Sequence, residues 1–414
     1  MASEVKRPRG RTLALIGVGT ALLLAGGVAA ILIAAGGSSG SSADRTVDTN
    51  FRAPHSFASI DSVYSQESFN CDAKDSLCIE KYVRKVTDDW GPEASLGILQ
   101  RLEQEHRVDL SVNDHQMAHV VGRETAKDYG SNFKAFDLCP ITFNYGCSHG
   151  FFEYVLARTA NPRQAATTIC ESLNPKNNFL IAGFTCYHGV GHGVMMAKAY
   201  NLTASLDACN TMPNLQAQDG CWQGVFMENV NAGMQGRALP GVFQRSDPLA
   251  PCDKIGSKYK WECYINHSGW LMTVAHDNIT KASRYCLKVP GGPRAACLQS
   301  IGLMVTNPVW QATLAPELAH ESQAKIAAAL CNRFPTSGRS DCVTAAVDNL
   351  ANFDQLDVKR ERAFCAEVGS AFKPACYRQI GLNLRNRTAD PEQIRRSCSG
   401  LGSKQDLCMK GAGA

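Results

Sequence analysis

The residues predict an all-α, solenoid-like ectodomain of disulfide-stapled αα-hairpins, carried after one N-terminal transmembrane helix. Three observations predict it. An even number of cysteines, 18, recurs in a near-constant rhythm between Cys71 and Cys408. Gly and Pro cluster inside the cysteine pairs while helix formers flank them. One uncharged apolar run stands near the start of the 414-residue chain.

Residues 1–11 form a basic tail. Lys6, Arg7, Arg9 and Arg11 against Glu4 place +3 of the formal net charge of +4 before residue 12. The remainder is close to neutral, which excludes a global polyanion binder and with it nucleic acid as a partner. Residues 12–35, TLALIGVGTALLLAGGVAAILIAA, carry no charge. As a helix, 24 residues reach roughly 36 Å, enough to cross ~30 Å of hydrocarbon. The preceding basic cluster predicts a cytoplasmic N-terminus and an extracytoplasmic main body. A cleaved signal peptide ending at Ala35 is the rival reading, with an apolar core longer than the usual ~7–15 residues. Residues 36–69 begin with GGSSGSS and continue polar and mixed, and are read as a linker and stalk.

From residue 70 the cysteines group as Cys71/Cys78, Cys139/Cys147, Cys170/Cys186, Cys209/Cys221, Cys252/Cys263, Cys286/Cys297, Cys331/Cys342, Cys365/Cys376 and Cys398/Cys408. From Cys139 onward the pairs recur every 31 to 45 residues, a period that suits stacked helical hairpins. In ASRYCLKVPGGPRAACLQSIGLMV a helix ends near Cys286, a Pro/Gly loop follows, and a second helix opens near Cys297. The short, nearly constant gap favours pairing within each hairpin, each staple contributing roughly 2–3 kcal/mol on the chain-entropy account. No C-x-x-C occurs, which disfavours zinc ribbons, thioredoxin-type redox sites and haem attachment. An oxidising compartment outside the cytoplasm fits the disulfides.

Residues 70–230 are the N-terminal repeats and 231–414 the C-terminal ones, and one frame separates them. Two and six places after the second cysteine of a pair, Cys147 gives His149 and Glu153, and Cys186 gives His188 and His192. The same frame laid on NDHQMAH, with Asn113 in the cysteine's place, gives His115 and His119. Positions four apart share one helix face, and imidazole or carboxylate at that spacing offers two ligands to one ion. The later repeats place Ile265 and Gly269, Gln299 and Leu303, Thr344 and Asp348, and Arg378 and Leu382 there. His115, His119, His149, Glu153, His188 and His192 are therefore the candidate metal ligands. Five nitrogens and one carboxylate favour a transition metal, zinc first and then iron or copper, over calcium or magnesium.

The competing reading makes the C-x-H-G stretches a packing device, with glycine for close helix approach and histidine bonded to backbone. His115 is followed by Gln116, so the H-E-x-x-H of zinc peptidases is absent. Glu228, just beyond the frame in FMENV, and Glu153 are the candidate catalytic bases, against a capping or surface role. His267 reads as a packed core histidine. Segment 231–251 is a long Gly/Pro-rich connection that suits a lid or a plain insertion. Asn201, Asn266, Asn278 and Asn386 fit the glycosylation pattern.

The residues together point to a membrane-anchored extracytoplasmic metal-binding repeat protein. Metal-dependent hydrolysis or oxidation requires an open coordination position with a base near bound water. The alternatives are a metal carrier of the cell envelope and a non-catalytic interaction scaffold. A solenoid presents long surfaces for a protein partner, whose identity the residues do not give.

Overall fold

In the computed structural model, residues 48–108, 114–140, 142–173, 180–354 and 356–413 are described. The basic tail, the apolar run 12–35, the spacer up to residue 47 and Asn113 lie outside the described residues. Among the described residues no helix is long and apolar enough to cross a membrane. Twenty α-helices and five short 3-10 turns account for the secondary structure there, with one isolated bridge between Gln244 and Asp247 and no strand.

The hairpins follow from local chemistry. Their first helices open on side-chain caps: Asn161, Asn201 and Asn278 each accept from the backbone N–H three residues on. These helices, Pro162–Cys170, Leu202–Cys209 and Ile279–Cys286, run out at the first cysteine. The second cysteine then sits in the next helix, as in Leu180–Ala197, Leu215–Met234 and Pro293–Met304. All nine disulfides join neighbouring cysteines as the spacing predicted, with Cα atoms 5.4 to 5.7 Å apart. From Cys170 onward every half-cystine is buried, so the staples pack the core as well as cross-link it.

The second helices stack on one another: Asp114–Asp128 on Gly146–Leu156, that on Leu180–Ala197, and that on Leu215–Met234. Further along, Pro293–Met304, Arg339–Asp354, Lys373–Arg387 and Gln405–Ala412 continue the series. Helix Lys373–Arg387 also touches Leu180–Ala197, so the array curls back on itself. One continuous apolar core runs from Ala126 to Ala412 and includes Phe151, Phe226, Trp310 and Phe364. A smaller core gathers Val63, Val83, Leu96, Leu99 and Val121 at the N-terminal end.

Three expectations change. The stalk read over residues 36–69 does not extend to residue 69. Ile60–Gln66 is a helix capped by Ser59, and Val63 and Phe69 are buried against Ser76–Gln104 and its surroundings. A few apolar residues in a polar stretch sufficed, because the 76–104 helix supplies the rest of that core. The Asn266 and Asn386 side chains are buried, which leaves a glycan no room, while Asn201 and Asn278 are exposed helix caps. Segment 231–251 is not all connection: residues 231–234 end the Leu215–Met234 helix, and beyond them Phe243 lies against Gly233, Trp270 and His267. His267 is a buried core histidine whose Nε2 donates to the Pro248 carbonyl (2.8 Å), and burial lowers its pKa to about 4.

Candidate metal centre

Four stacked helices bring the candidate ligands together. Asp114–Asp128 carries His115, His119 and Arg123, and Gly146–Leu156 carries His149 and Glu153. Leu180–Ala197 carries His188 and His192, and Leu215–Met234 carries Glu228. All five imidazoles and both carboxylates are buried.

Glycine makes this proximity possible. A Cβ on Gly150 would lie 1.9 Å from the His119 carbonyl oxygen, and one on Gly122 would lie 1.9 Å from that of Cys147. The same reciprocal contact joins the next pair of helices, where Gly191 meets the Cys221 carbonyl at 2.1 Å and Gly224 meets that of His188 at 1.9 Å. Backbones therefore touch directly, and side chains flanking the contact converge.

The glycine register also corrects the frame on the first helix. Gly191 stands five places after its cysteine and pairs with Gly224, three places after the next cysteine. Gly122 pairs in the same way with Gly150, three places after Cys147. Met117, five before Gly122, thus occupies the cysteine's position, rather than Asn113. His119 and Arg123 then fall two and six places on, and His115 lies one turn earlier. A slip of four residues leaves an i, i+4 pair looking unchanged, and no cysteine marks the register there.

Two similar half-clusters result. In the first, the Nε2 atoms of His115 and His119 are 3.0 Å apart. His119 donates from Nδ1 to Glu153 Oε1 (2.6 Å), and Arg123 Nη1 donates to Glu153 Oε2 (2.5 Å). In the second, the Nε2 atoms of His188 and His192 are 3.3 Å apart, and His192 donates from Nδ1 to Glu228 Oε2 (3.2 Å). Arg237 Nη2 lies 3.7 Å from Glu228 Oε1 and its Nη1 reaches the Tyr200 hydroxyl. His149 sits between the halves, its ring centroid 4.7 to 5.3 Å from those of His115, His119, His188 and His192. Glu228 was placed beyond the frame by sequence and is drawn in beside His192. Arg123 and Arg237 were not singled out, since a lone arginine on a helix or in a loop carries no spacing signal.

The electrostatics follow from burial. His115 is pushed down to about 3, by desolvation first and by the neighbouring His119 second. Desolvation and the surrounding imidazoles likewise hold His149 and His188 well below the usual histidine range. Burial alone would raise Glu153, but the charges of His119 and Arg123 outweigh it and hold the carboxyl below its ordinary value. His115, His149 and His188 are thus neutral imidazoles in a cluster with an ionised carboxylate. That is the protonation state in which imidazole binds a metal and carboxylate orients it.

The hydrogen-bond pattern fixes the tautomers. A carbonyl and an ionised carboxylate can only accept, so the neutral His115 carries its proton on Nδ1, donating to Phe143 O (2.8 Å), and His119 Nδ1 donates to Glu153. The His115 Nε2 atom therefore faces His119 Nε2 at 3.0 Å. His149 has neither ring nitrogen hydrogen-bonded although fully buried, and His188 Nδ1 is likewise unpartnered. The ligand atoms of His115, His119 and His149 lie within 4.8 Å of one another, as do those of His149, His188 and His192, and those of Glu153, His192 and Glu228. No protein family, curated protein or solved structure matches this chain.

Proposed function

We propose that the protein is an extracytoplasmic transition-metal-binding repeat protein, tethered through residues 12–35, whose buried imidazoles hold the metal. The observation that carries this reading is His149. A buried neutral imidazole leaves one donor and one acceptor to satisfy, and each unsatisfied group costs ~1–3 kcal/mol. Both nitrogens of His149 are unsatisfied, at the centre of four other imidazoles.

Spacing supports the same ligands. Tetrahedral bonds of 2.0–2.1 Å place nitrogens about 3.3 Å apart, close to the 3.0 and 3.3 Å separations of the two histidine pairs. Nitrogen-only ligation favours zinc, then copper or iron. Glu153 and Glu228 act as orienting partners on this reading, since each accepts from the outer nitrogen of a histidine whose inner nitrogen faces the cluster. Full burial favours metal holding, or chemistry on a molecule of a few atoms, over turnover of a polymer.

The test is metal analysis of the full chain, oxidised and purified without chelator, by mass spectrometry. Copurified or added Zn2+ should be retained through dialysis. His149→Ala should lose it, and His267→Ala, outside the cluster, should keep it. A wild-type chain that binds no added Zn2+, Cu2+ or Fe2+ overturns the reading and leaves a cross-linked scaffold.

A further inference from the structure

We infer that the cluster holds two metal ions bridged by His149, an inference that rests on the metal-binding reading above. The two half-clusters have the same construction. Each pairs histidines four apart whose Nε2 atoms face each other, in each the second histidine donates to a carboxylate, and each carboxylate faces an arginine. One ion cannot be shared by all five imidazoles at bonding distance, since zinc takes four ligands in total. Two ions divide them evenly: His115, His119 and His149 for one, and His149, His188 and His192 for the other.

His149 is the residue common to both groups, and neither of its ring nitrogens has a hydrogen-bond partner. When both ions bind, its ring N–H proton leaves to solvent and each nitrogen gives a lone pair to one ion. No electron is transferred. The two ions then sit about 6 Å apart across the ring, each with three nitrogens and a fourth position left for water or a small anion. The bridging imidazolate and the carboxylates of Glu153 and Glu228 lower the local positive charge of the ion pair.

Copper(II) is the probe, because its unpaired electron reports the bridge. The full chain is stripped with chelator, titrated with Cu2+, and followed by electron paramagnetic resonance alongside bound-metal stoichiometry. Two ions per chain are expected. The resonance should grow to the first equivalent and fall toward loss at the second, as the two spins couple through the ring. His188→Ala and His115→Gln, one in each half, should each bind a single ion with a full, uncoupled signal. The wild-type titration decides by itself if a variant does not fold. Binding of one ion per chain refutes the pair and leaves the metal-binding reading standing. Two ions with undiminished signal refute the bridge, and no binding refutes both readings.

Discussion

The glycine contacts make a sharp demand on the site. In Gly150→Ala the new Cβ would stand 1.9 Å from the His119 carbonyl oxygen, where real Cβ contacts stay at 3.0 Å or more. The obstacle is backbone and cannot swing aside. Helices Asp114–Asp128 and Gly146–Leu156 must part by at least about 1 Å, and the reciprocal Gly122 contact blocks a simple slide. Overpacking of this kind costs about 1–3 kcal/mol, partly offset by the ~1 kcal/mol that alanine gains over glycine inside a helix. The fold should survive, because eight of the nine staples and most of the core lie elsewhere.

The metal should not survive as well. His119 and His149 ride on the two helices being parted, and metal–ligand distances tolerate only ~0.2 Å. Gly150→Ala should therefore lower metal retention after dialysis far more than it lowers the melting temperature. Gly183→Ala is the control, since a Cβ there meets nothing within 4 Å. It should keep its metal and melt at or above the wild-type temperature. If Gly150→Ala keeps metal and melting temperature as Gly183→Ala does, close backbone approach is not what gathers the imidazoles.

Glu153→Gln should weaken metal binding by about 10–100-fold in a competition titration, because the His119 ring loses its charged acceptor. Joint replacement of Cys286 and Cys297 by serine opens a staple of sequence separation 11 and should cost about 3 kcal/mol in denaturant melts, with the metal retained. Asp348, buried and accepting from Gln379 Nε2 at 2.6 Å, is raised by desolvation to about 7. Between the ordinary carboxylate value near 4 and that folded value, the folded state holds more protons than the unfolded one. Stability should therefore fall as pH rises from about 4 to about 7 and level off above, and Asp348→Asn should remove that decline, on the order of 4 kcal/mol.

Some of this architecture was open to a reader of the residues alone, and the reason is spacing. A constant gap with Gly and Pro inside it declares a stapled hairpin, so pairing followed without any tertiary information. His149, Glu153, His188 and His192 followed too, because a cysteine marks each frame. Where no cysteine stands, on the Asp114–Asp128 helix, the register slipped by a full turn and Arg123 went unnoticed. Glu228 sits seven places after Cys221 rather than six, and only the crossing of Leu215–Met234 over its neighbour aims it at His192. Arg237 reaches Glu228 from a docked loop, a contact that local pattern does not encode. The helix at Ile60–Gln66 was hidden because its apolar partners lie in Ser76–Gln104.

Whether glycine or histidine explains the C-x-H-G stretches can be argued from the far end of the chain. Gly381 and Gly411 make the same reciprocal approach as Gly122 and Gly150, each Cβ position 1.8 Å from a partner carbonyl, that of Cys408 and that of Arg378. The frame positions beside that contact are Arg378 and Leu382, with no imidazole among them. Touching helix backbones therefore need glycine but not histidine. The five imidazoles of the N-terminal repeats answer a second requirement, one that close packing does not impose. Both ring nitrogens of His149 and Nδ1 of His188 are buried there unsatisfied, which packing alone would penalise. Glycine closes the distance between helices, and on the proposed reading the histidines use that closeness to hold a metal.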